Sequence, residues 1–370
     1  MRLSDILKKK SVQNKSTEDL TPQEVSELEP EEIVEEKTEE PQLDKVQFVQ
    51  EIHRVDSAEK VYTEGIDTQR KFLLNIEKNK VDINPLLNVA RKIIALIVAN
   101  NDELIAMCRY TTPDLYLHSH SVNTAILSTA LGFAYGYSSE QLEKLTISAF
   151  LHDIGMLKVV ELAAKQGKVN GSEFSEIKKH TMYNKQLLEN VIMSPQTKTA
   201  VSVIISQVHE RRDGAGYPKG LSGEEIDIMS KIISVADVFE AFTHPRSWRE
   251  SILSHDALKK MIDMADMNFD MNLVKLFIEK VSLYPIGSYV RVNTDEIARV
   301  VGSNPGLPTR PKLKIVIDSE NKRVPTEKLV DLSKNSVIYI TEAVDETKLK
   351  LEDKKLALEL KARRWWVKTI

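Results

Sequence analysis

Between about residues 55 and 282 the apolar side chains recur at intervals of three and four, the spacing of one buried helix face. "INPLLNVARKIIALIVANNDELIAMC", "HSVNTAILSTALGFAYG", "SEQLEKLTISAFLHDIGML", "SEFSEIKKHTMYNKQLLENVI", "KTAVSVIISQVHE", "IMSKIISVADVFEAFT" and "SHDALKKMIDMA" each carry it. The spacing predicts an almost purely helical region, with a cap at Ser139 and a local break at Gly155. Near residue 284 the pattern changes to short β-branched runs, "YPIGSYVRVN", "IARVVGSN", "KLKIVIDS" and "SVIYITEA", separated by Gly, Asn, Pro and Asp. These predict a small antiparallel β unit. A charged helix is expected from about 346, ending in "RRWWVKTI", with Trp365 and Trp366 placed to dock on the chain's own core. The expected fold is mainly α: a helical domain, a small C-terminal antiparallel β unit and a terminal helix.

Residues 11 to about 50 have few large apolar side chains, and "EPEEIVEEKTEEPQ" cannot bury enough surface to offset chain entropy. The expected divisions are a disordered acidic tail (1–50), a helical lead-in (51–110), a helical domain bearing the chemistry (111–284), the β unit (285–343) and a C-terminal helix and tail (344–370). Of the 370 residues, 42% are hydrophobic, enough for a substantial core. The single cysteine, Cys108, excludes an internal disulfide and suits a reducing compartment. The start has no apolar run of signal-peptide length, and no stretch reaches the roughly 18 apolar residues of a membrane span. A cytoplasmic protein is expected. Net charge is −4. Residues 1–50 hold about 7 basic and 13 acidic side chains, so the body is close to neutral and lacks the basic surface a nucleic-acid polymer requires.

The chemistry lies in histidines and acids set among apolar residues. Of eight histidines, His152 adjoins Asp153 at the end of an apolar helix face. Burying that pair costs several kcal/mol unless something compensates. A divalent metal would do so, since imidazole nitrogen and carboxylate oxygen suit iron, manganese or zinc; a capped, solvated helix end is the alternative. Asp237 lies in the apolar run "ISVADVFEAF" and needs a metal or a buried arginine. His120 opens an apolar helix, His180 falls mid-helix and His209 ends one, so several helices can aim nitrogen ligands at one centre. In "LSHDALKKM", by contrast, Ser254 is expected to cap a helix and Asp256 to complement its dipole, which accounts for His255 and Asp256 locally. "HERRDGAGYPKG" combines charge with flexible turns, as a phosphate site beside a metal would require, and leaves Tyr217 exposed.

Taken in order, "HSVNTAILSTALG", "HDIGM", "KKH", "HERRDGAGYPKGLSGEEI" and "KIISVADVFEAFT" resemble the HD-GYP family of HD-superfamily phosphohydrolases, over about residues 55–300. The resemblance implies a bacterial signalling enzyme with two, sometimes three, metals, usually iron or manganese. It implies hydrolysis of cyclic di-GMP to linear pGpG and often onward to GMP, through a hydroxide bridging the metals. By motif position the metal ligands would be His120, His152, Asp153, His180, His209 and Asp237, with Asp153 bridging and His152 and Asp153 at the catalytic step. Arg211, Arg212, Asp213, Gly214, Gly216, Tyr217 and Pro218 would shape the substrate pocket. Gly214 and Gly216 would let backbone approach the ligand, Tyr217 would stack on guanine, and one arginine would pair with Asp213. Arg246 and Arg249 would line the same face or form helix-end salt bridges.

The chain departs from the family pattern at three points. Met156 stands where the family carries a phosphate-contacting lysine, Val208 replaces the first of two adjacent histidines, and Tyr116 occupies the position of a third-metal acid. His118 is a substitute ligand or a solvated side chain. A two-metal centre with a thin ligand shell follows. Alternative readings are a weak or inactive cyclic-dinucleotide-binding adaptor, or a hydrolase of another nucleotide. The expected partners are the nucleotide, a regulatory protein engaged by the N-terminal tail or the β unit, and a second copy in a homodimer.

Overall fold

The computed structural model describes residues 57–99, 102–109, 116–165, 167–245 and 250–362. The expected acidic tail, His53, Arg246, Arg249, Trp365 and Trp366 lie outside them. The described chain is mainly helical, as its periodicity predicts. Helix α1 (Ala58–Ile76) starts where the Ser57 hydroxyl accepts from the Lys60 amide. Its face of Val61, Tyr62, Ile66, Phe72 and Leu73 is buried. Helix α2 (Asn84–Val98) buries Leu86, Val89, Ile93, Ile94 and Ile97, and α3 (Asp102–Met107) follows.

Helix α4 (Tyr116–Ala134) runs through the core, and every residue from Ser119 to Gly132 is buried. It is flanked by α5 (Ser139–Leu151) and later by α10 (Ile228–Thr243). One of its buried hydroxyls is held locally: Thr129 Oγ1 lies 2.7 Å from both the Ala125 carbonyl and Thr146 Oγ1 of α5. The cap of α5 is Ser138, one residue before the expected Ser139. Ser138 and Gln141 form a reciprocal capping box.

Between α5 and α10 come a 3₁₀ segment (Ile154–Val159), α6 (Val160–Ala164), α7 (Gly171–Lys178), α8 (His180–Leu188) and α9 (Pro195–Gln207). Two short strands, β1 (Val81–Asp82) and β2 (Val191–Ile192), pair in parallel across the domain. Helices α11 (Ser254–Met264) and α12 (Met271–Val281) complete it. Ser254 is the first residue of α11 rather than its cap. Leu253 holds the cap position without a side-chain hydrogen bond, while Asp256 does occupy the first turn.

The C-terminal unit is a five-stranded antiparallel sheet in the order β6-β5-β4-β3-β7. Its strands are β3 (Tyr289–Val292), β4 (Ile297–Gly302), β5 (Lys312–Ile317), β6 (Arg323–Asp331) and β7 (Ile340–Val344). One face buries Val290, Val292, Ala298, Val300, Leu313 and Ile315. The other packs Tyr289, Ile297, Ile317 and Val344 under Leu356 and Leu360 of α13 (Lys354–Ala362). Helix α13 begins later than the expected 346, because Asp345 ties the chain into a turn by accepting from the Thr347 amide and hydroxyl. Strand β6 is the one element of the sheet that hydrophobic patterning misses. It carries Pro325 and is exposed along most of its length, as an edge strand can be.

Candidate metal centre

Five places in the helical domain turn imidazoles and carboxylates toward one point. His120 lies in the second turn of α4 and is buried among helices. His152 is the residue that ends α5, and Asp153 starts the 3₁₀ segment. That turn is clamped by Asn184 of α8, whose amide donates to the His152 carbonyl and whose oxygen accepts from the Gly155 amide. A side chain on Gly155 would collide with the His180 carbonyl and with Asn184, so the tight approach requires glycine here. His180 is the first residue of α8, at the junction with α7, rather than mid-helix. His209 lies just past the end of α9, and Asp237 lies within buried α10.

These six residues form two donor sets, His120–His152–Asp237 and Asp153–His180–His209, each with ligand-type atoms within 4.8 Å of one another. Asp153 joins them. Its Oδ2 lies 3.5 Å from His120 Nε2, while its Oδ1 lies 3.3 Å from His180 Nε2 and 3.4 Å from His209 Nε2. Asp237 Oδ1 lies 3.2 Å from His120 Nε2 and 3.9 Å from His152 Nε2. His118 is in neither set.

The donor chemistry fits divalent cations. Nδ1 of His152 and Nδ1 of His180 each sit 2.7 Å from a backbone carbonyl, of Ala149 and Ile177 respectively. A carbonyl only accepts, so each Nδ1 carries a proton, and each Nε2 faces the centre as the atom left to bind a cation. His152 Nε2 is buried there with no hydrogen-bond partner. Nε2 of His180 and of His209 oppose each other at 2.9 Å. Lone pairs that converge beside two buried carboxylates are relieved by a cation.

Sequence reading missed the residues that stand behind these donors. His120 Nδ1 lies 2.6 Å from Oε2 of Glu240, one turn beyond Asp237 on α10. Glu240 Oε1 accepts from Asn123, whose own oxygen accepts from the Tyr62 hydroxyl of α1. His244 Nδ1 approaches the same carboxylate at 3.2 Å. A carboxylate behind a ligating imidazole fixes its tautomer and its aim. The signal was present as paired spacings of three, His120 to Asn123 and Asp237 to Glu240. Cys108 is buried beside this relay, near the Leu104 and Asn123 carbonyls, and burial together with Glu240 pushes its thiol pKa well up. Burial also raises the Tyr62 hydroxyl well above its ordinary value, with Cys108 and Glu240 adding to the effect.

Burial opposes charge on His120, yet Glu240, Asp153 and Asp237 outweigh it and raise its pKa well above the histidine norm. His180 is raised against its burial in the same way, chiefly by Asp153. Burial would lift the Asp153 carboxyl, but His152, His180 and His120 hold it well below the usual range. Asp237 is likewise lowered against its burial, through His120 and His152.

The loop after His209 folds back on its own start. The Tyr217 amide donates to the His209 carbonyl, and Glu210 accepts from the Lys219 and Leu221 amides. Tyr217 is half-buried rather than exposed. Its ring stacks on His209 with centroids 5.2 Å apart and meets His180 edge-on at 6.2 Å. Gly214 adopts φ +76°, as the turn requires, and Pro218 follows Tyr217 at the exposed rim. A side chain on Gly216 would strike the backbone of Glu210 and Arg211, so the close approach expected of a ligand is made by the loop itself. Arg211 pairs with Asp213 at 2.7 Å, the internal pairing expected of one arginine, while Arg212 reaches Asp266 at 3.4 Å. Met156 is buried in an apolar cluster with Val159 and Ile177, and Val208 is fully buried.

Residues 96–273 match the family model of the HD domain, and residues 289–352 match that of a KOW domain associated with the HD domain. A cyclic di-GMP phosphodiesterase of Pseudomonas aeruginosa is 26% identical over 255 residues, 69% of this chain and 61% of that protein. The cyclic di-GMP phosphodiesterase PdeB of Borreliella burgdorferi is 33% identical over 193 residues, 51% of this chain and 50% of that protein. The 3'3'-cGAMP-specific phosphodiesterase 1 of Vibrio cholerae is 35% identical over 147 residues, 40% of this chain and 33% of that protein. The chain thus spans between a third and three fifths of these relatives. It is an HD-domain protein. Its HD pair and GYP loop lie within the matched HD domain and keep the resemblance to the HD-GYP family. Among the described residues, no helix is long and apolar enough to cross a membrane.

Proposed function

We propose that this chain is a metal-dependent phosphodiesterase that hydrolyses a cyclic dinucleotide, cyclic di-GMP in the first instance, to linear pGpG and onward to GMP. The observation that carries the reading is Asp153, whose two oxygens face two separate donor sets while the buried His152 Nε2 has no hydrogen-bond partner. His120, His152 and Asp237 would hold one ion, His180 and His209 the other, and Asp153 would serve both; iron or manganese suits this mixture of nitrogen and oxygen. When bound, the ions supply water activated near neutral pH and screening of charge at phosphorus. The chain itself supplies placement. Glu240 keeps the His120 proton on Nδ1, and Asn184 and Gly155 fix the HD turn. Glu210, Gly216 and the Arg211–Asp213 pair shape the loop that carries Tyr217. The sheet and the N-terminal tail are the proposed sites for a regulatory partner.

The similarity to a 3'3'-cGAMP-specific enzyme favours that mixed dinucleotide as the second substrate reading. The test is anaerobic purification with manganese or ferrous iron, followed by incubation with cyclic di-GMP and with 3'3'-cGAMP. Linear product from either is expected, and the preferred substrate is the one with the higher kcat/KM. Protein that neither binds metal nor yields linear product would overturn the reading in favour of an adaptor.

A further inference from the structure

The outer edge of the centre holds a cation that neither donor set uses. Lys178 is the last residue of α7, two before His180, and is half-buried. Its Nζ lies 4.9 Å from the Phe174 ring centroid and 5.1 Å from that of Tyr217, the ring that stacks on His209. Nearby lysines are neutralised: Lys179 pairs with Glu176, Lys165 with Glu173 and Lys158 with Glu77. Among the described residues, no acid pairs with Lys178. The HD turn supplies no cation of its own, since Met156 is buried against Ile177 in an apolar cluster.

We propose that Lys178 contacts the substrate, its ammonium donating to a phosphate oxygen of the cyclic dinucleotide at the mouth of the Asp153–His180–His209 set. Two aromatic rings restrict the side chain and keep its charge beside the ring that stacks on His209. A cation preplaced beside a ring costs less ordering when an anion arrives, and a phosphate gives it the counter-charge that the protein withholds. A cyclic dinucleotide carries two phosphodiesters on opposite sides of its ring. A centre that grips one leaves the other, or an outward oxygen of the first, for such a group.

The inference rests on the phosphodiesterase reading. Its test compares the full chain with Lys178→Met and Lys178→Arg, all loaded with manganese, using cyclic di-GMP. Loss of a charged contact should raise KM about tenfold or more in Lys178→Met and flatten the dependence of KM on added KCl, with kcat moved far less. Metal content and melting temperature should match the parent. Lys178→Arg should recover most of the KM. A Lys178→Met protein with parental KM, or one whose loss is of bound metal or of melting temperature, would overturn the assignment while leaving the phosphodiesterase reading standing. A parent that neither binds nor hydrolyses a cyclic dinucleotide would overturn that reading, and this one with it.

Discussion

His120 and His209 sit at opposite ends of the same centre and are held in different ways. His120 is 1% exposed, and behind it stand Glu240, Asn123 and Tyr62, a chain of buried hydrogen bonds that runs from α10 through α4 to α1. His209 has a side chain 14% exposed, lies on the loop after α9, and is backed by the stacked ring of Tyr217. The first donor set is thus built into the helical core, and the second takes one of its ligands, His209, from a loop that can meet a ligand. Such a division keeps geometry fixed at one end and leaves substrate access at the other.

The comparison breaks most completely at the shared residue. Asp153→Ala should remove both metal equivalents, measured by elemental analysis, while far-ultraviolet circular dichroism keeps the parental helical signal. Loss of one equivalent alone would show that the two sets do not depend on a common ligand. Next comes Glu240→Ala, which breaks a buried pair and should cost about 3–5 kcal/mol in urea unfolding. Glu240→Gln is milder. Loss of the partner behind His120 should weaken metal binding about 10–100-fold, and a titration with unchanged affinity at both sites would sink the division drawn above. His209→Ala should then lose one metal equivalent with little change in melting temperature, the opposite balance to the Glu240 variants.

The smallest effect is on pH dependence. In the metal-free chain His120 and His180 have raised pKa values, so their stabilisation is full below the unfolded value of 6.5 and is lost as pH rises through the raised one. Asp153 and Asp237 are lowered, so theirs is full above 3.8 and fades as pH falls through the lowered value. Metal-free protein should therefore lose melting temperature as pH climbs from about 6.5 through the raised histidine values. Metal-loaded protein should not, because cations displace those protons and bind better as pH rises. Identical profiles with and without metal would mean that the histidines are not the ion's ligands.

The sequence makes the donors themselves legible, because an imidazole or a carboxylate inside an apolar helix needs an explanation. The residues behind them are less visible. Glu240 reads as one more solvated helix acid until Asp237, a turn away, is known to face inward. Tyr62 lies in a lead-in helix with no chemical signature, and only the tertiary fold brings it to Asn123. Tyr217 looks exposed because glycines and charges surround it, yet the fold-back of its loop lays it on His209. Strand β6 is hidden by Pro325 and a polar surface, since an edge strand needs little apolar patterning.

Cys108 is the chain's single thiol, and its burial beside Asn123 has a practical consequence. A thiolate is what alkylating reagents attack, and here burial and a neighbouring carboxylate suppress it. The rate at which such a reagent modifies the native protein is therefore a native-state clock for opening of the α1–α4–α10 packing, with no engineered label required.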